Sequence, residues 1–171
     1  MESRDFNGRA AARSWTALAL AAAALLAGCD PQRIGELEEG VSTEADVRAR
    51  FGEPERVWPE AGGSHTLEYP RQPEGHQNYM ITIGPDGKMS ALRQVLAPHN
   101  FAKVVPGMAQ EDVRHLLGKP RRMRTYALKQ ETEWDWRWVD PPNTQMLFTV
   151  VFGADGRVLR NGSALEQREG N

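Results

Sequence analysis

GMAQEDVRHLLGKP, from Gly107 to Pro120, has a near copy upstream in GVSTEADVRARFGEP, from Gly40 to Pro54. Asp46-Val47-Arg48 lies over Asp112-Val113-Arg114, Gly52 over Gly118 and Pro54 over Pro120. Further on, Ile83-Gly84-Pro85-Asp86-Gly87 is echoed by Phe152-Gly153-Ala154-Asp155-Gly156. The matches recur in the same order at a spacing of 66 to 69 residues. That pattern predicts one small structural unit used in tandem.

Within each copy the hydrophobic period changes from helical to extended. In the first, Arg33 to Glu39 reads as a short helix closed by Gly40. A second helix follows with Thr43 as N-cap and Asp46 at N3, an imperfect capping box. Val47 and Phe51 face the core, Gly52 ends the helix and Pro54 prevents it resuming. Leu67 and Tyr69 then share a strand face, as do Tyr79, Ile81 and Ile83, and Met89 to Leu96 makes the last strand. Gly84-Pro85-Asp86-Gly87 is the hairpin turn. In the second copy, Asn100 is expected to cap a short helix carrying Phe101, Val104 and Val105. The long helix runs from about Ala109 to Leu117, with Met108 and Val113 as a hydrophobic staple. Ala109 stands where Thr43 does, so this cap is weaker by about 1 kcal/mol. Trp134, Trp136 and Trp138 alternate with Glu133, Asp135 and Arg137 in a half-buried strand. Met146 to Phe152 is apolar on both faces, and Arg157 to Arg160 closes the sheet.

The fold class expected is therefore α+β: two tandem units, each two helices with an antiparallel sheet of three to four strands. The first unit spans 34–96 and the second 97–160, with 161–171 a polar, frayed tail. So small a unit buries a marginal core without staples. The two are expected to pack together, with their sheets forming one curved surface. Leu147 and Val151 point away from Phe148 and Phe152, and the other unit is expected to cover them.

Residues 1–28 read as a signal peptide. Arg4, Arg9 and Arg13 form a basic start, and Trp15 to Leu26 is an apolar run too short to span a bilayer. It ends in Leu26-Ala27-Gly28-Cys29, a bacterial lipobox, which assigns lipidation to Cys29 and a short tether to 29–33. Asp30 to Arg33 reach only about 17 Å when extended, so the folded part is expected beside the membrane. Cys29 is the sole cysteine among 171 residues. Its lipidation leaves no thiol for a disulfide, a thiol catalyst or a zinc-thiolate centre. With 21 Lys and Arg against 23 Asp and Glu, the net charge of −2 gives no basic surface for nucleic acid.

No constellation for catalysis stands out. His65, His76, His99 and His115 share no metal-ligand spacing, the serines lack a nucleophile-elbow context, and there is no P-loop or dinucleotide fingerprint. The reading is a non-enzymatic protein without metal or cofactor. Trp134 and Trp138 admit two roles. They form either the sheet face under the helices, which is preferred, or an exposed platform for a partner or glycan. The loops Pro70 to His76 and Asp140 to Asn143 fall at matching hairpin ends, where scaffolds display recognition residues. Arg71 and His76 are the candidates there.

The lipobox, Lys103-Val104-Val105-Pro106-Gly107-Met108, Val113, Leu117-Gly118-Lys119-Pro120, Trp136 and Phe152 to Val158 together resemble the BamE family, also called SmpA or OmlA. The first unit matches through Gly40, Val47, Gly52, Pro54 and Tyr69, and the loop Arg71 to His76 is similar to the family's own. The resemblance implies a periplasm-facing, membrane-anchored scaffold lipoprotein whose partners are envelope proteins of the outer-membrane β-barrel assembly machinery. Two departures stand out. The family normally carries one unit, and a tandem resembles instead the β-lactamase inhibitor protein, whose disulfides are absent here. That alternative implies a periplasmic inhibitor or sensor that grips its target through joined sheets. Asp30 after the lipidated cysteine is also a residue that retains some lipoproteins in the inner membrane, against the outer-membrane placement the family implies.

Overall fold

The structure, a computed structural model, describes residues 34–167. The expected signal peptide, Cys29, the tether and the last four residues lie outside the described residues. The first repeat runs α1 (Glu44–Phe51), β1 (Arg56–Pro59), β2 (His65–Pro70), β3 (Asn78–Ile83) and β4 (Met89–Gln94). The second runs α2 (Pro98–Phe101), α3 (Gln110–Leu117), β5 (Arg122–Tyr126), β6 (Glu131–Asp140), β7 (Thr144–Phe152) and β8 (Val158–Leu165). Each repeat folds its strands into a four-stranded antiparallel meander, β1-β2-β3-β4 and β5-β6-β7-β8. This is the expected α+β tandem, with the optional strand after the proline present in both copies. Among the described residues no helix is long and apolar enough to cross a membrane.

The sequence match extends to individual hydrogen bonds. The Tyr69 hydroxyl donates to the Gly52 carbonyl at 3.0 Å, and Trp136 Nε1 donates to the Gly118 carbonyl at 3.0 Å. In both copies, therefore, an aromatic donor on the second strand satisfies a carbonyl that the ending helix leaves open. The residue before each helix bridges the tip of the last hairpin, Thr43 to Lys88 and Ala109 to Arg157. Thr43 forms the full capping box, accepting from Asp46 N while the Asp46 carboxylate accepts from Thr43 N at 2.9 Å. Those bonds, led by the one from the Thr43 backbone, hold the Asp46 carboxyl below its ordinary range. Ala109 makes no side-chain cap, as its chemistry requires.

Each sheet has an inner face under its own helix. Leu67, Tyr69, Tyr79, Ile81 and Ile83 lie in register there in the first repeat, with Phe51 of α1 set 5.0 Å from the Tyr69 ring and 5.4 Å from the Tyr79 ring. In the second, Trp134, Trp136 and Trp138 pair with Val150, Phe148 and Met146. They share one apolar core with Phe101, Val113 and Leu117 of the helices. Phe101 stacks on Phe148 at 4.2 Å and meets Trp138 edge-on at 5.1 Å, geometries that aromatic quadrupoles favour.

Four expectations are corrected. Of the helix expected at 33–39, residues 37–39 are turn or irregular chain. Asn100 does not cap α2. The helix begins two residues earlier at Pro98, whose fixed φ suits a first turn, and ends before Val104. Residues 161–165 are not frayed, because the nine-residue β7 gives β8 a template as far as Leu165. Finally, the two sheets do not join into one curved surface. They are hydrogen-bonded separately, and the outer face of the first packs on α3 of the second.

That packing is carried by charge. Glu68, fully buried, accepts from Trp58 Nε1 at 3.0 Å, from Arg114 Nη2 at 3.2 Å and from the Lys119 backbone N at 2.7 Å. His115 of α3 reaches Glu60 at 2.8 Å and lies 4.8 Å from the Trp58 ring. Lys119 reaches Glu55 at 2.7 Å, and its hydrogen bond holds the Glu55 carboxyl below the usual carboxylate range. Buried Asn78 donates to the carbonyls of Leu117 and Lys119 at 2.7 and 3.0 Å. Gly118 sits between them at φ +72°, where a Cβ would come within 2.9 Å of the Asn78 amide. Only glycine satisfies both the left-handed backbone and the close approach.

Candidate functional site

Register relates the outer faces of the two sheets residue by residue. Glu68 pairs with Arg56 and Met80, and Asp135 pairs with Arg122 and Thr149. Glu68 grips α3. Asp135 occupies the same place on a face that no helix of the described residues covers. Leu147 and Val151 lie on this face, so the expectation that the other repeat covers them is not met. Val151 is buried between its register partners Glu133 and Arg160, and Leu147 is half-buried.

Composition explains how this face tolerates water. Where the first sheet has Trp58, Met80 and Ala91, the second has Arg124, Thr149 and Arg160. A sheet face that no neighbouring unit covers needs that exchange of apolar for polar side chains. Three of its carboxylates are paired within the face. Asp135, 3 % exposed, accepts from Arg122 at 3.2 Å and from the Thr149 hydroxyl at 2.8 Å. Glu166 receives Arg137 at 2.8 Å and Arg121 at 3.3 Å. Arg160 binds Glu131 through both terminal nitrogens at 2.8 and 2.9 Å, which holds the Glu131 carboxyl low. Between Arg121, Arg122, Arg137, Gln145, Leu147 and Glu166 lies a depression of about 610 Å³. The face is thus a lattice of arginines with an aliphatic centre at Leu147, suited to a polar protein surface.

The residues predicted from sequence fall elsewhere. Trp134 and Trp138 are 8 % and 4 % exposed and pack beneath α2 and α3. The platform reading is corrected: they are core. Their alternation with Glu133, Asp135 and Arg137 did mark the opposite side of β6 as the outward one. Arg71 lies in the loop after β2 with its guanidinium 5.3 Å from the Phe51 ring. His76, in the same loop, is half-buried, and its Nε2 has no hydrogen-bond partner. That loop docks within the chain. The Gln72 amide donates to Arg137 O at 2.8 Å and accepts from Arg137 N at 3.2 Å, while Arg137 Nη1 donates to Pro73 O at 3.3 Å. Arg137 therefore links the loop of one repeat to the open face of the other. Among the described residues no cluster of three His, Cys, Asp or Glu is placed to hold a metal ion.

No family model matches the chain. No curated protein matches it. Among solved structures it is similar to an osmotically inducible lipoprotein, OsmE, at 24 % identity over 42 % of this chain and 73 % of that one, with a TM-score of 0.34. It is also similar to a DUF4309 family protein, YjgB, from Bacillus subtilis, at 23 % identity over 80 % of this chain and 86 % of that one, TM-score 0.32. A candidate β-lactamase inhibitor protein from Streptococcus mutans matches at 13 % identity over 73 % and 84 %, TM-score 0.32.

Proposed function

We propose that this chain is a lipid-tethered, periplasm-facing adaptor that works by protein contact and not by turnover. Its binding surface is the outer face of the second sheet, and its role lies in outer-membrane β-barrel assembly or envelope upkeep. The observation that carries the reading is the equivalence of Glu68 and Asp135. The same sheet face that holds a helix in the first repeat is open in the second, dressed with Arg121, Arg122, Arg124, Arg137 and Arg160. Arginine is enriched at protein interfaces; these guanidinium groups are held in place by their own partners, and their remaining N–H donors and apolar stems face outward. The lipobox at Cys29 and the resemblance to the BamE family support the compartment and the assembly role.

An inhibitor that grips its target through two joined sheets would need one continuous surface. With the sheets bonded separately, any such grip falls to the second sheet alone.

A photo-crosslinking amino acid at Leu147, in the full lipidated chain in its native envelope, tests the reading. The expected adduct is a subunit of the barrel-assembly machinery, absent when the probe sits at Val57. Adducts only with unrelated proteins, or equal labelling from Val57, would overturn the assembly role.

A further inference from the structure

The outer face of the first sheet is wider than the helix that packs on it. α3 covers the side of β1 and β2, where Trp58 and Glu68 lie. Towards β3 and β4 a cleft of about 870 Å³ remains between the sheet, α2 and α3. Its size falls in the range of roughly 300–1,000 Å³ typical of small-molecule sites, and it lies at a junction between two packed units, where such sites concentrate.

The lining divides by chemistry. Met80, Val95, Met108 and Leu116 make an apolar floor, two of them methionines whose unbranched side chains adapt to irregular ligands. Thr66 and Thr82 add hydroxyls, bonded to each other at 3.1 Å. At the rim stand Arg93, His99 and Lys103, with Asp112 the one carboxylate of the lining. Arg93 makes no hydrogen bond or ion pair among the described residues. Lys103 is held in place: its Nζ donates to Asn100 Oδ1 at 2.8 Å, and buried Asn100 is itself anchored through Nδ2 to Val95 O at 3.0 Å. His115 forms wall and not rim, since Glu60 and Trp58 engage its ring.

We infer that this cleft binds a small organic carboxylate with an apolar body, the body on the methionine floor and the carboxylate between Arg93 and Lys103. A pre-positioned ammonium and an unpaired guanidinium across an apolar floor favour an anion over its neutral isostere, because charge-assisted hydrogen bonds are about twice as strong as neutral ones.

The test uses the full lipidated chain in lipid nanodiscs with ¹³C-labelled methionine methyls, titrated with 4-phenylbutyrate and, in parallel, with its amide. The methyls of Met80 and Met108 should shift saturably with the acid. Met123, exposed on β5 away from the cleft, should not. The amide should bind about tenfold more weakly, and the double variant Arg93→Gln/Lys103→Gln should lose the same factor for the acid. Unchanged Met80 and Met108 signals in that variant without ligand show that it is folded. Absence of a saturable shift up to about 10 mM, beyond the millimolar range of weak ligands, would overturn the inference. So would shifts led by Met123, equal binding of acid and amide, or a double variant that binds as the parent does.

Discussion

Glu68 of β2 and Arg114 of α3 meet at 3.2 Å across the boundary between the repeats, the carboxylate wholly buried and the guanidinium mostly so. The same carboxylate also takes the Trp58 indole N–H and the Lys119 backbone N–H. Removing it strands three donors at once. Glu68→Ala is expected to destabilise the fold by about 3 kcal/mol, the lower end for breaking a buried pair, since Arg114 retains some access to water. Urea unfolding of both variants is the check. Glu55→Ala, which removes an exposed partner of Lys119, should cost under about 1 kcal/mol. Equal effects would show that Glu68 does not hold the repeats together.

Trp134→Ala should act on folding first. The ring is buried against Phe152 and Trp136 at 4.8 and 6.1 Å, and its loss opens a cavity worth about 3–5 kcal/mol. Leu147→Asp, on the open face, should leave the melting temperature nearly unchanged and abolish the partner contact proposed for that face. A Trp134→Ala protein of parental stability that fails only in binding would restore the platform reading.

Tyr69 gives a prediction in pH. Burial pushes its phenol up to about 12 from an ordinary 10.0. The folded state therefore holds this proton more tightly than the unfolded chain. Its contribution to stability is fully present below pH 10 and is lost as pH rises towards 12. Ultraviolet titration should show a tyrosine step near pH 12, and Tyr69→Phe should remove that step while costing about 1 kcal/mol through the lost bond to Gly52. A high-pH titration curve that Tyr69→Phe leaves unchanged would contradict it.

Cys29→Ala should yield a precursor that is neither acylated nor processed, read by intact-mass spectrometry of the membrane fraction. An acylated variant would refute the lipobox assignment.

The elements that local chemistry fixes were legible in the sequence. Thr43 with Asp46, Gly52 with Pro54, and the tryptophan alternation each state their own structure within a few residues. What could not be read is what depends on the neighbouring repeat. Glu68, in His65–Pro70, looks like the solvent side of an amphipathic strand, and only the arrival of Arg114, 46 residues later, makes it core. The open face was missed for the converse reason. Asp135 and Arg137 read as ordinary surface residues, and their interest comes from occupying the places that Glu68 and Pro70 hold under cover. The sequence ends β8 early because Asn161-Gly162-Ser163 has little strand preference of its own, whereas pairing with β7 and the Glu166 clamp on Arg121 and Arg137 extend it.

The exchange of Trp58 for Arg124 and of Ala91 for Arg160 gives the duplicated chain a direction. Transposing its halves would press the Arg124 guanidinium under a helix and turn an indole and a thioether out into water. Although cut to one pattern, the modules have become non-interchangeable, one face shaped to receive a helix and the other to meet water.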